Sequence, residues 1–528
     1  MLADPSPKNT YYKQHSHYRV LLVYPNIQQC AMMPYSMGLF TSLLKQEGFE
    51  VGLFDSTFYQ DDINANYEHY QTAVKEFDWA ERGVDFKKRS MLEDFAKKVE
   101  DFAPDLIAVS VVENTYPIGR AMIRTLPSKH KKIPVLWGGV FATFAPEIIF
   151  RDNVGDYVCR GEGEDALIEF CRRACAGKPL DSIPNIWAGT NGQIIKNPMG
   201  PKVDINTLPF PDYDLFEEQA IYRPMQGKIW RTMGIESQRG CPYTCTYCNS
   251  PSQNILSKHE QGSLFYRKKS LQRVREEIEF LHKKHNIELI YWLVDTFLAL
   301  TNREFDELVE MYSDFKIPFW MNTRSETMTE YRAEGLEKMN MLRMNFGIEH
   351  GNPRYRLEVL KRRVSNKVML DSFRYCKDKN FVTTGNCIIG MPKENRRLIF
   401  DTIEFCRQLP DNIEDTGAFI FAPYHGTSLR DIAVKDGYLA PDTICDIQEP
   451  INSMLDQPQL PREEVIGLAR TFGLYQVLPR SEWRWIEKAE KDTQEGREIF
   501  ERLQREYQAV NAQARLDEGY QRDISPVA

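Results

Sequence analysis

The sequence predicts an α/β protein in which a doubly wound parallel sheet precedes a partial barrel of six βα units and a helical C-terminal region. Short apolar runs alternate with helix-like patterns over residues 18–177, and the alternation resumes at 231. Such alternation is typical of parallel sheets. A polar, proline-rich stretch at about 180–230 separates the two parts and reads as a linker or a small hairpin. The expected divisions are domains at 1–190, 231–430 and 431–528, with a linker at 191–230.

Five apolar runs in the first part read as buried strands, at 18–25, 51–55, 105–112, 134–139 and within 155–164. Helical patterns follow at 36–48 and 165–177. Ligands of doubly wound sheets bind outside the carboxyl ends of the strands. Small or polar residues at these ends let a large ligand approach the backbone. Taken singly, each glycine among them is explained by its own turn, but the set favours a ligand site. Its members are Asn26, Ser110, Gly138, Gly139, Gly161 and Gly163.

The second part contains six further candidate strands separated by helical patterns. Six βα units predict an open barrel, whose active site faces the C-terminal ends of the strands by analogy with complete barrels. From about 431 the chain is charged and largely helical. The predicted strands lie at 231–237, 287–294, 317–322, 343–348, 382–390 and 416–422.

Composition argues against several classes of protein. The 528 residues have a net charge of -8 and no dominant basic run, so nucleic-acid binding is not expected. Short runs such as "KRR" at 361–363 read as solvated helix ends. No apolar stretch reaches the roughly 18 residues of a membrane span, and the polar N-terminus has no signal peptide. Eleven cysteines, mostly scattered, fit a reducing compartment, so we expect a cytoplasmic protein.

Three cysteines are exceptions to this scatter. Cys241, Cys245 and Cys248 lie in "RGCPYTCTYC", directly after the first predicted barrel strand. Zinc normally takes four ligands, often from paired CxxC elements, and the chain has no second CxxC. Iron–sulfur clusters are held by thiolates, and three would leave one iron open to a substrate. Cys171 and Cys175 also form CxxxC, but they fall on one turn of an amphipathic helix and are expected to pack in the core.

The order CxxxCxΦC, with Tyr247 as the aromatic residue, resembles the signature of radical S-adenosylmethionine (SAM) enzymes. The resemblance implies a [4Fe–4S] cluster on the three cysteines, whose open iron chelates SAM. It also implies that one electron from the cluster cleaves SAM to methionine and a 5′-deoxyadenosyl radical. The alternative is that the three cysteines are incidental.

Four later segments resemble the motifs of the same family in the same order. They are "LVDTFLAL" at 293–300, "FGIEHGN" at 346–352, "CIIGMPKEN" at 387–395 and "FAPYHGTSL" at 421–429. Two departures stand out: Asp295 is followed by Thr296 where many relatives have two acids, and His425 replaces a usual proline. Tyr424 and His425 are candidate catalytic residues, with a hydrogen-bonded turn as the alternative for His425. The SAM contacts that the resemblance implies are Tyr247, Asp295, Arg324, Glu349 and Gly390.

The first part resembles the flavodoxin-like cobalamin-binding domain of cobalamin-dependent radical SAM enzymes. The stretches "MPYSMGLFTSLLKQEGFEV", "GGVFATFAPE" and "RGEGEDAL" support the resemblance. It implies that cobalamin binds at the six strand-end residues given above. Other cobalamin proteins have a DxHxxG motif whose histidine ligates cobalt, but the corresponding loop here, "YPNIQQCAMMP", has no histidine. We therefore expect base-off cobalamin without a histidine ligand. The alternative is a vestigial scaffold that binds no cofactor.

Three functions follow from these resemblances. The first is methyl transfer from methylcobalamin to an unactivated carbon after hydrogen abstraction by the 5′-deoxyadenosyl radical. The second is a radical rearrangement or oxidative cyclisation without methyl transfer, and the third is a sensing module without catalysis. The expected partners are a small-molecule or peptide substrate and an external electron donor such as flavodoxin or ferredoxin. The intact cysteine motif and the ordered barrel motifs favour an enzyme over a sensor.

Overall fold

The computed structural model describes residues 18–28, 33–65, 78–190, 192–410 and 413–517. The described residues divide into two compact units. The first comprises the chain up to Ala65 together with Phe86–Ala220, and the second comprises the described part of Asn66–Asp85 together with the chain from Ile221. Within these ranges, none of the helices combines the length and apolarity needed to cross a bilayer.

The first unit is built on a seven-stranded sheet. Its strands are β1 (Arg19–Tyr24), β2 (Glu50–Asp55), β3 (Leu106–Ser110), β4 (Val135–Gly138), β5 (Tyr157–Cys159), β6 (Ile186–Thr190) and β7 (Gln193–Ile195). The helices of this unit are α1 (Tyr35–Gln46), α2 (Met91–Phe102), α3 (Tyr116–Thr125), α4 (Val140–Phe144), α5 (Pro146–Arg151) and α6 (Glu164–Cys175).

The strand order β2-β1-β3-β4-β5 is that of a flavodoxin-like sheet, and these five strands pair in parallel. Residues 20–23 of β1 are all buried, as expected of a central strand covered on both faces. The order reverses between β1 and β3, which is where such sheets bind ligands. The predicted α/β class is therefore confirmed. The carboxyl ends of β1, β3 and β4 form the edge at which sheets of this kind bind ligands.

An antiparallel hairpin extends this sheet beyond β5. β6 pairs antiparallel with β5, and β7 pairs antiparallel with β6. The sequence signal is the Asn191-Gly192 pair between the two strands, because this dipeptide favours tight hairpin turns. The proline-rich stretch thus begins with a hairpin of the first unit, one of the two interpretations that its composition left open.

The second unit is built on another seven-stranded sheet, with a two-stranded ribbon formed by β10 and β11. Its strands are β8 (Tyr222–Met225), β9 (Lys228–Ile235), β10 (Gln238–Arg239), β11 (Arg267–Lys268), β12 (Leu289–Trp292), β13 (Phe319–Arg324), β14 (Met341–Glu349), β15 (Val382–Ile389) and β16 (Ile413–Ile420). Its helices are α7 (Ser250–Gln261), α8 (Leu271–His285), α9 (Asn302–Tyr312), α10 (Glu330–Lys338), α11 (Pro353–Glu358), α12 (Asn366–Arg374), α13 (Arg396–Cys406), α14 (Ser428–Lys435), α15 (Arg462–Val477), α16 (Trp483–Ala489) and α17 (Gln494–Asp517).

The six predicted barrel strands pair in chain order, from β9 through β12 to β16, and all of these pairs are parallel. The sheet stays open, because β16 ends one side and β8 pairs antiparallel with β9 on the other. This is the half-barrel that the sequence predicts. The C-terminal region is helical in α14 to α17, with an irregular stretch at 436–461 that is rich in proline.

Candidate active site and cofactor sites

The three motif cysteines lie on a loop between β10 and α7. Gly240 precedes them with a positive φ of 80°, and an added Cβ would come within 2.8 Å of Phe265 Cδ1, so glycine is required there. Cys241 and Cys245 are buried and Cys248 is partly buried. Helix α7 begins two residues after Cys248, and a helix N-terminus stabilises a nearby thiolate.

Each of the three sulfur atoms has a hydrogen-bond partner. Cys245 Sγ accepts from Arg324 Nη1 at 2.7 Å, and Cys248 Sγ accepts from the backbone N–H of Ser250 at 3.4 Å. Cys241 Sγ lies 3.5 Å from Thr296 Oγ1. Hydrogen bonds of this kind tune the reduction potential of an iron–sulfur cluster. The donor set therefore fits a cluster held by three thiolates.

Burial raises the pKa of the Cys241 thiol and raises that of Cys248 to about 11. Iron must displace these protons when it binds, so loading couples to proton release. Among the described residues, no group of three or more His, Cys, Asp or Glu side chains is arranged around a single ion. A four-iron cluster takes its thiolates on separate irons, so its ligands need not converge on one point.

A network of charged side chains surrounds Cys245. Arg324 also donates through Nε to Glu326 Oε1 at 2.7 Å. Arg362, almost fully buried, donates to Glu326 Oε2 at 3.3 Å and to Glu349 Oε1 at 3.0 Å. Tyr247 lies close enough to Glu349 and to Cys245 to shift their electrostatics. The structure thus brings three of the predicted SAM contacts, Tyr247, Arg324 and Glu349, together beside Cys245.

The pKa values of the two carboxyl groups diverge within this network. Burial raises the pKa of Glu349, although the Arg362 guanidinium opposes the shift. Burial also acts to raise the pKa of Glu326, but Arg362 and Arg324 outweigh it and hold that pKa below its usual value. Arg362 therefore opposes the effect of burial on the pKa of both carboxyl groups. The sequence reading of "KRR" as a solvated helix end is wrong for its middle residue, which is 1% exposed.

The backbone of Glu349 is strained. Its φ is +64°, in the left-handed region, and the β14–β15 register shifts between Gly347 and Glu349. A non-glycine residue in that region costs on the order of 1–3 kcal/mol, and such strain concentrates at functional sites. Gly347 makes room for the carboxylate, because a Cβ there would lie 2.2 Å from Glu349 Oε1. The irregularity re-aims the Glu349 side chain towards Arg362 and Tyr247.

Both members of the Asp295-Thr296 pair reach the cysteine loop. Asp295 Oδ2 accepts from Ser250 Oγ at 2.8 Å, and burial raises the pKa of Asp295. Thr296 lies against the Cys241 sulfur, as described above. The threonine that departs from the usual second acid is thus a neighbour of a sulfur atom. Sequence reasoning missed Thr296, Glu326 and Arg362, because only the paired strands bring them to the loop.

The remaining predicted residues of the barrel lie at the ends of β15 and β16. Gly390 follows β15 with a φ of +79°, where a Cβ would lie 2.8 Å from Val465 Cγ1. Tyr424 donates its hydroxyl to Glu449, and His425 occupies the same turn, partly buried. The next helix is tied to the cysteine loop, since Leu429 N donates to Thr246 O at 2.9 Å.

A row of neutral polar side chains crosses β12 to β15 on the strand face that also bears Arg324. Asn322 Nδ2 donates to the Tyr291 hydroxyl at 2.7 Å, and Asn345 Nδ2 donates to Asn322 Oδ1 at 3.0 Å. Thr384 Oγ1 donates to Asn345 Oδ1 at 2.5 Å. The Trp320 ring packs on Tyr291 with 4.3 Å between ring centroids. These residues form a hydrogen-bonded surface without formal charge.

The six predicted cobalamin contacts lie at the carboxyl edge of the first sheet. Ser110 pairs with Gly138 at the ends of β3 and β4. A Cβ added at Gly138 would meet nothing within 4 Å, so this position borders open space, as a cofactor cradle requires. Asn26 follows β1 and opens the histidine-free loop. Gln29–Met32 of that loop lie outside the described residues.

The other edge residues have local structural roles. Asn26 N donates to Ser56 Oγ at 2.7 Å and Asn26 Nδ2 donates to Thr57 Oγ1 at 2.8 Å, so Asn26 joins the ends of β1 and β2. Gly139 and Gly161 have positive φ, and added Cβ atoms would lie 2.3 Å from Val111 O and from Met199 Cε. A Cβ at Gly163 would lie 3.2 Å from Phe40. Gly138 is therefore the position where a substitution tests the ligand site rather than the fold.

Replacing Gly138 with leucine is expected to lower cobalamin binding about 5- to 150-fold, the equivalent of the ~1–3 kcal/mol that a forced steric overlap costs. Bound cobalamin is measured by absorbance after anaerobic reconstitution and desalting. Ala176→Leu is the control, since Ala176 is exposed, has a φ of -84°, and lies at the C-terminal end of α6 instead of at a strand end. Stoichiometric cobalamin in Gly138→Leu would show that the corrin does not approach β4.

Comparison with protein families tests the family resemblance that the sequence motifs suggest. Residues 235–406 match the radical SAM superfamily and residues 34–170 match the B12 binding domain. The chain belongs to the cobalamin-dependent radical SAM enzymes. The cofactors of this enzyme are accordingly a [4Fe–4S] cluster, SAM and cobalamin. The prediction of the family and of its cofactors from the sequence is confirmed.

Curated relatives of this radical SAM enzyme carry several activities. An uncharacterized methyltransferase of Pyrococcus horikoshii is 27% identical over 354 residues, covering 66% of this chain and 73% of the relative. Cytidylyl-2-hydroxyethylphosphonate methyltransferase of Streptomyces wedmorensis is 22% identical, covering 83% and 85%. Anaerobic magnesium-protoporphyrin IX monomethyl ester cyclase of Synechocystis is 22% identical, covering 74% and 76%.

Solved structures share the fold of this radical SAM enzyme. The methyltransferase TsrM of Kitasatospora setae, with cobalamin and a [4Fe–4S] cluster bound, superposes with a TM-score of 0.61 at 17% identity. The match covers 95% of this chain and 99% of TsrM. OxsB, with aqua-cobalamin and SAM bound, gives a TM-score of 0.61 at 14% identity and covers 94% and 72%. At these identities the likeness establishes the fold alone.

Proposed function

We propose that this enzyme is a C-methyltransferase that moves a methyl group from cobalamin to an unactivated carbon of its substrate. The observation that carries the proposal is the pairing of a B12-binding domain with a radical SAM domain in one chain. When bound, the cluster and SAM supply the radical that abstracts hydrogen, and cobalamin supplies the methyl group. The phosphonate methyltransferase among the relatives supports methyl transfer, and the cyclase supports the alternative of ring formation without it.

The roles of individual residues follow the contacts of the cysteine loop. Cys241, Cys245 and Cys248 hold the cluster. Arg324 and Asp295 are proposed SAM contacts, and each is held by a hydrogen bond near the cysteines. Arg324 donates to Cys245, and Asp295 accepts from Ser250 in the first turn of α7. The remaining proposed SAM contacts are Tyr247, Glu349 and Gly390.

Proton transfer is assigned to the turn after β16. Tyr424 already donates its hydroxyl to Glu449, which supports a positioning role for it. Histidine is the residue type that exchanges protons near neutral pH, so His425 is the candidate acid or base. The substrate is proposed to be a small molecule or peptide that presents an uncharged polar part to Tyr291, Asn322 and Asn345. The location is proposed to be the cytoplasm, where free thiols persist, since none of the described cysteines forms a disulfide.

Isotope labelling separates methyl transfer from rearrangement. With methyl-deuterated SAM, we expect all three deuterons in the product, because the methyl group moves intact. Each turnover should consume two molecules of SAM, one yielding 5′-deoxyadenosine and one yielding S-adenosylhomocysteine. Glu349→Gln should lose 5′-deoxyadenosine while retaining bound cobalamin. A product without added methyl mass, formed with 5′-deoxyadenosine but without S-adenosylhomocysteine, would favour rearrangement or cyclisation.

A further inference from the structure

An exposed patch adjoins the cysteine loop on the surface of the second unit. Thr244, Leu357, Lys361 and Arg363, with Glu358 beside them, line a depression of about 450 Å³, and we name this set the basic patch. Thr244 is an exposed residue of the cysteine loop itself, next to Cys245. Leu357 is 49% exposed, so the depression offers an apolar side chain beside its charged ones.

The segment that carries the basic patch is fastened to the cysteine loop. Thr246 N donates to Leu360 O at 3.2 Å, and Thr246 Oγ1 donates to Val359 O at 2.8 Å. Cys245 therefore has a patch residue, Thr244, on one side and a residue bound to the patch segment on the other. A molecule seated on the patch would reach the surface of the protein that lies next to a proposed cluster ligand.

The charge of the patch differs from that of the chain. Glu358 Oε1 accepts from Arg354 Nε at 2.9 Å, so its charge is compensated. Lys361 and Arg363 are exposed and form no salt bridge with the described residues, whereas Arg362 between them points into the buried network. Lys361 and Arg363 thus give the patch two uncompensated positive charges on a chain with a net charge of -8. Such a patch attracts an acidic partner and speeds its association.

We propose that the basic patch is the docking site of the one-electron donor, a small acidic carrier protein that bears a flavin or an iron–sulfur group. The reduced carrier loses one electron and the cluster gains it, so no further reactant is needed. Exposed Leu357 among cations gives the apolar centre and polar rim of a transient interface. The inference rests on the proposed function only in that a radical enzyme needs an external electron.

The test compares charge reversal on the patch with charge reversal elsewhere. In the anaerobic holoenzyme, Lys361→Glu/Arg363→Glu is expected to weaken binding of flavodoxin or of a ferredoxin at least about tenfold at low salt, and to slow cluster reduction by that carrier to the same extent. Lys131→Glu/Lys132→Glu is the matched control, since both lysines are exposed and the charge change is equal. A loss with only one of the two carriers identifies the donor. Unchanged binding of both carriers would overturn the proposal.

Two further measurements distinguish a loss of docking from a general loss of cluster function caused by the substitution. Dithionite needs no docking, so its reduction of the cluster should be equal in wild type and variant; equal losses with dithionite and carrier would count against docking. In wild type, carbodiimide should join Lys361 to a carrier carboxylate, and Lys361→Arg should keep binding but lose this cross-link. Cross-links that map only to other lysines would overturn the proposal. Methyl transfer driven by dithionite tests the proposed function separately.

Discussion

Replacing Cys245 with alanine is expected to reduce SAM cleavage to background. The substitution removes one of three proposed iron ligands, and the remaining two cysteines cannot hold a four-iron cluster firmly. It also removes the Cys245 sulfur, to which the Arg324 guanidinium donates a hydrogen bond at 2.7 Å, and leaves Arg324 bonded to Glu326 alone of these two partners. Iron and sulfide are measured after anaerobic reconstitution, and 5′-deoxyadenosine is measured by mass spectrometry with dithionite as reductant. Cys241→Ala and Cys248→Ala should behave in the same way.

The second CxxxC element supplies the control for this experiment. Cys171 and Cys175 lie on α6 in the first unit, where Cys171 is fully buried in the apolar core. Burial raises the pKa of both thiols, with no cation to stabilise a thiolate. Cys175→Ala should therefore keep the full iron content, and Cys171→Ala should lose some stability but no iron. Normal cleavage by Cys245→Ala would refute the assignment of the cluster ligands.

The sequence predicted those parts of the fold whose pattern lies within a short stretch of residues. The barrel strands, β9 and β12 to β16, each contain apolar residues and alternate with helical patterns, and parallel pairing in chain order follows from that alternation. The signal of the cysteine loop is equally local, because its three cysteines lie within eight residues of one another. The hairpin of β6 and β7 has a weaker signal, an Asn-Gly pair in a stretch that otherwise resembles a linker.

The family resemblance pointed to Arg324 and Glu349, but the rest of the environment of the cysteines depends on residues far away in the sequence that carry no local signal. Arg362 looks like one of three solvated cations in "KRR", and only the pairing of β13 with β14 places Glu326 and Glu349 around it. Thr296 looks like a lost acid until its hydroxyl is seen against Cys241. The left-handed backbone of Glu349 has no sequence signal, because glycine, the residue that favours it, is absent at that position.

Replacing Arg362 with methionine is expected to lower the free energy of unfolding by about 3–5 kcal/mol, the usual cost of removing one partner from a buried ion pair. Glu326 keeps Arg324, but Glu349 loses its only direct cationic partner among the described residues. Urea unfolding followed by tryptophan fluorescence measures the effect. Arg356→Met is the matched control, because Arg356 is equally buried but binds the backbone oxygens of His350 and Val364 and the Asn366 side chain instead of carboxylates.

The pH dependence separates a lost ion pair from a lost packing contact. Without Arg362, burial raises the folded pKa of Glu349 further above its unfolded value. The folded state then holds a proton that the unfolded state releases, so stability falls as pH rises from the unfolded pKa through the folded one. The cost of Arg362→Met should therefore be larger at pH 8 than at pH 5, whereas the cost of Arg356→Met should be the same at both. Adding Glu349→Gln should recover much of the loss at pH 8, because it removes the uncompensated charge. If Arg362→Met cost the same at both pH values and gained nothing from Glu349→Gln, Arg362 would stabilise the site by packing alone, and the charge network around Cys245 would have no energetic role.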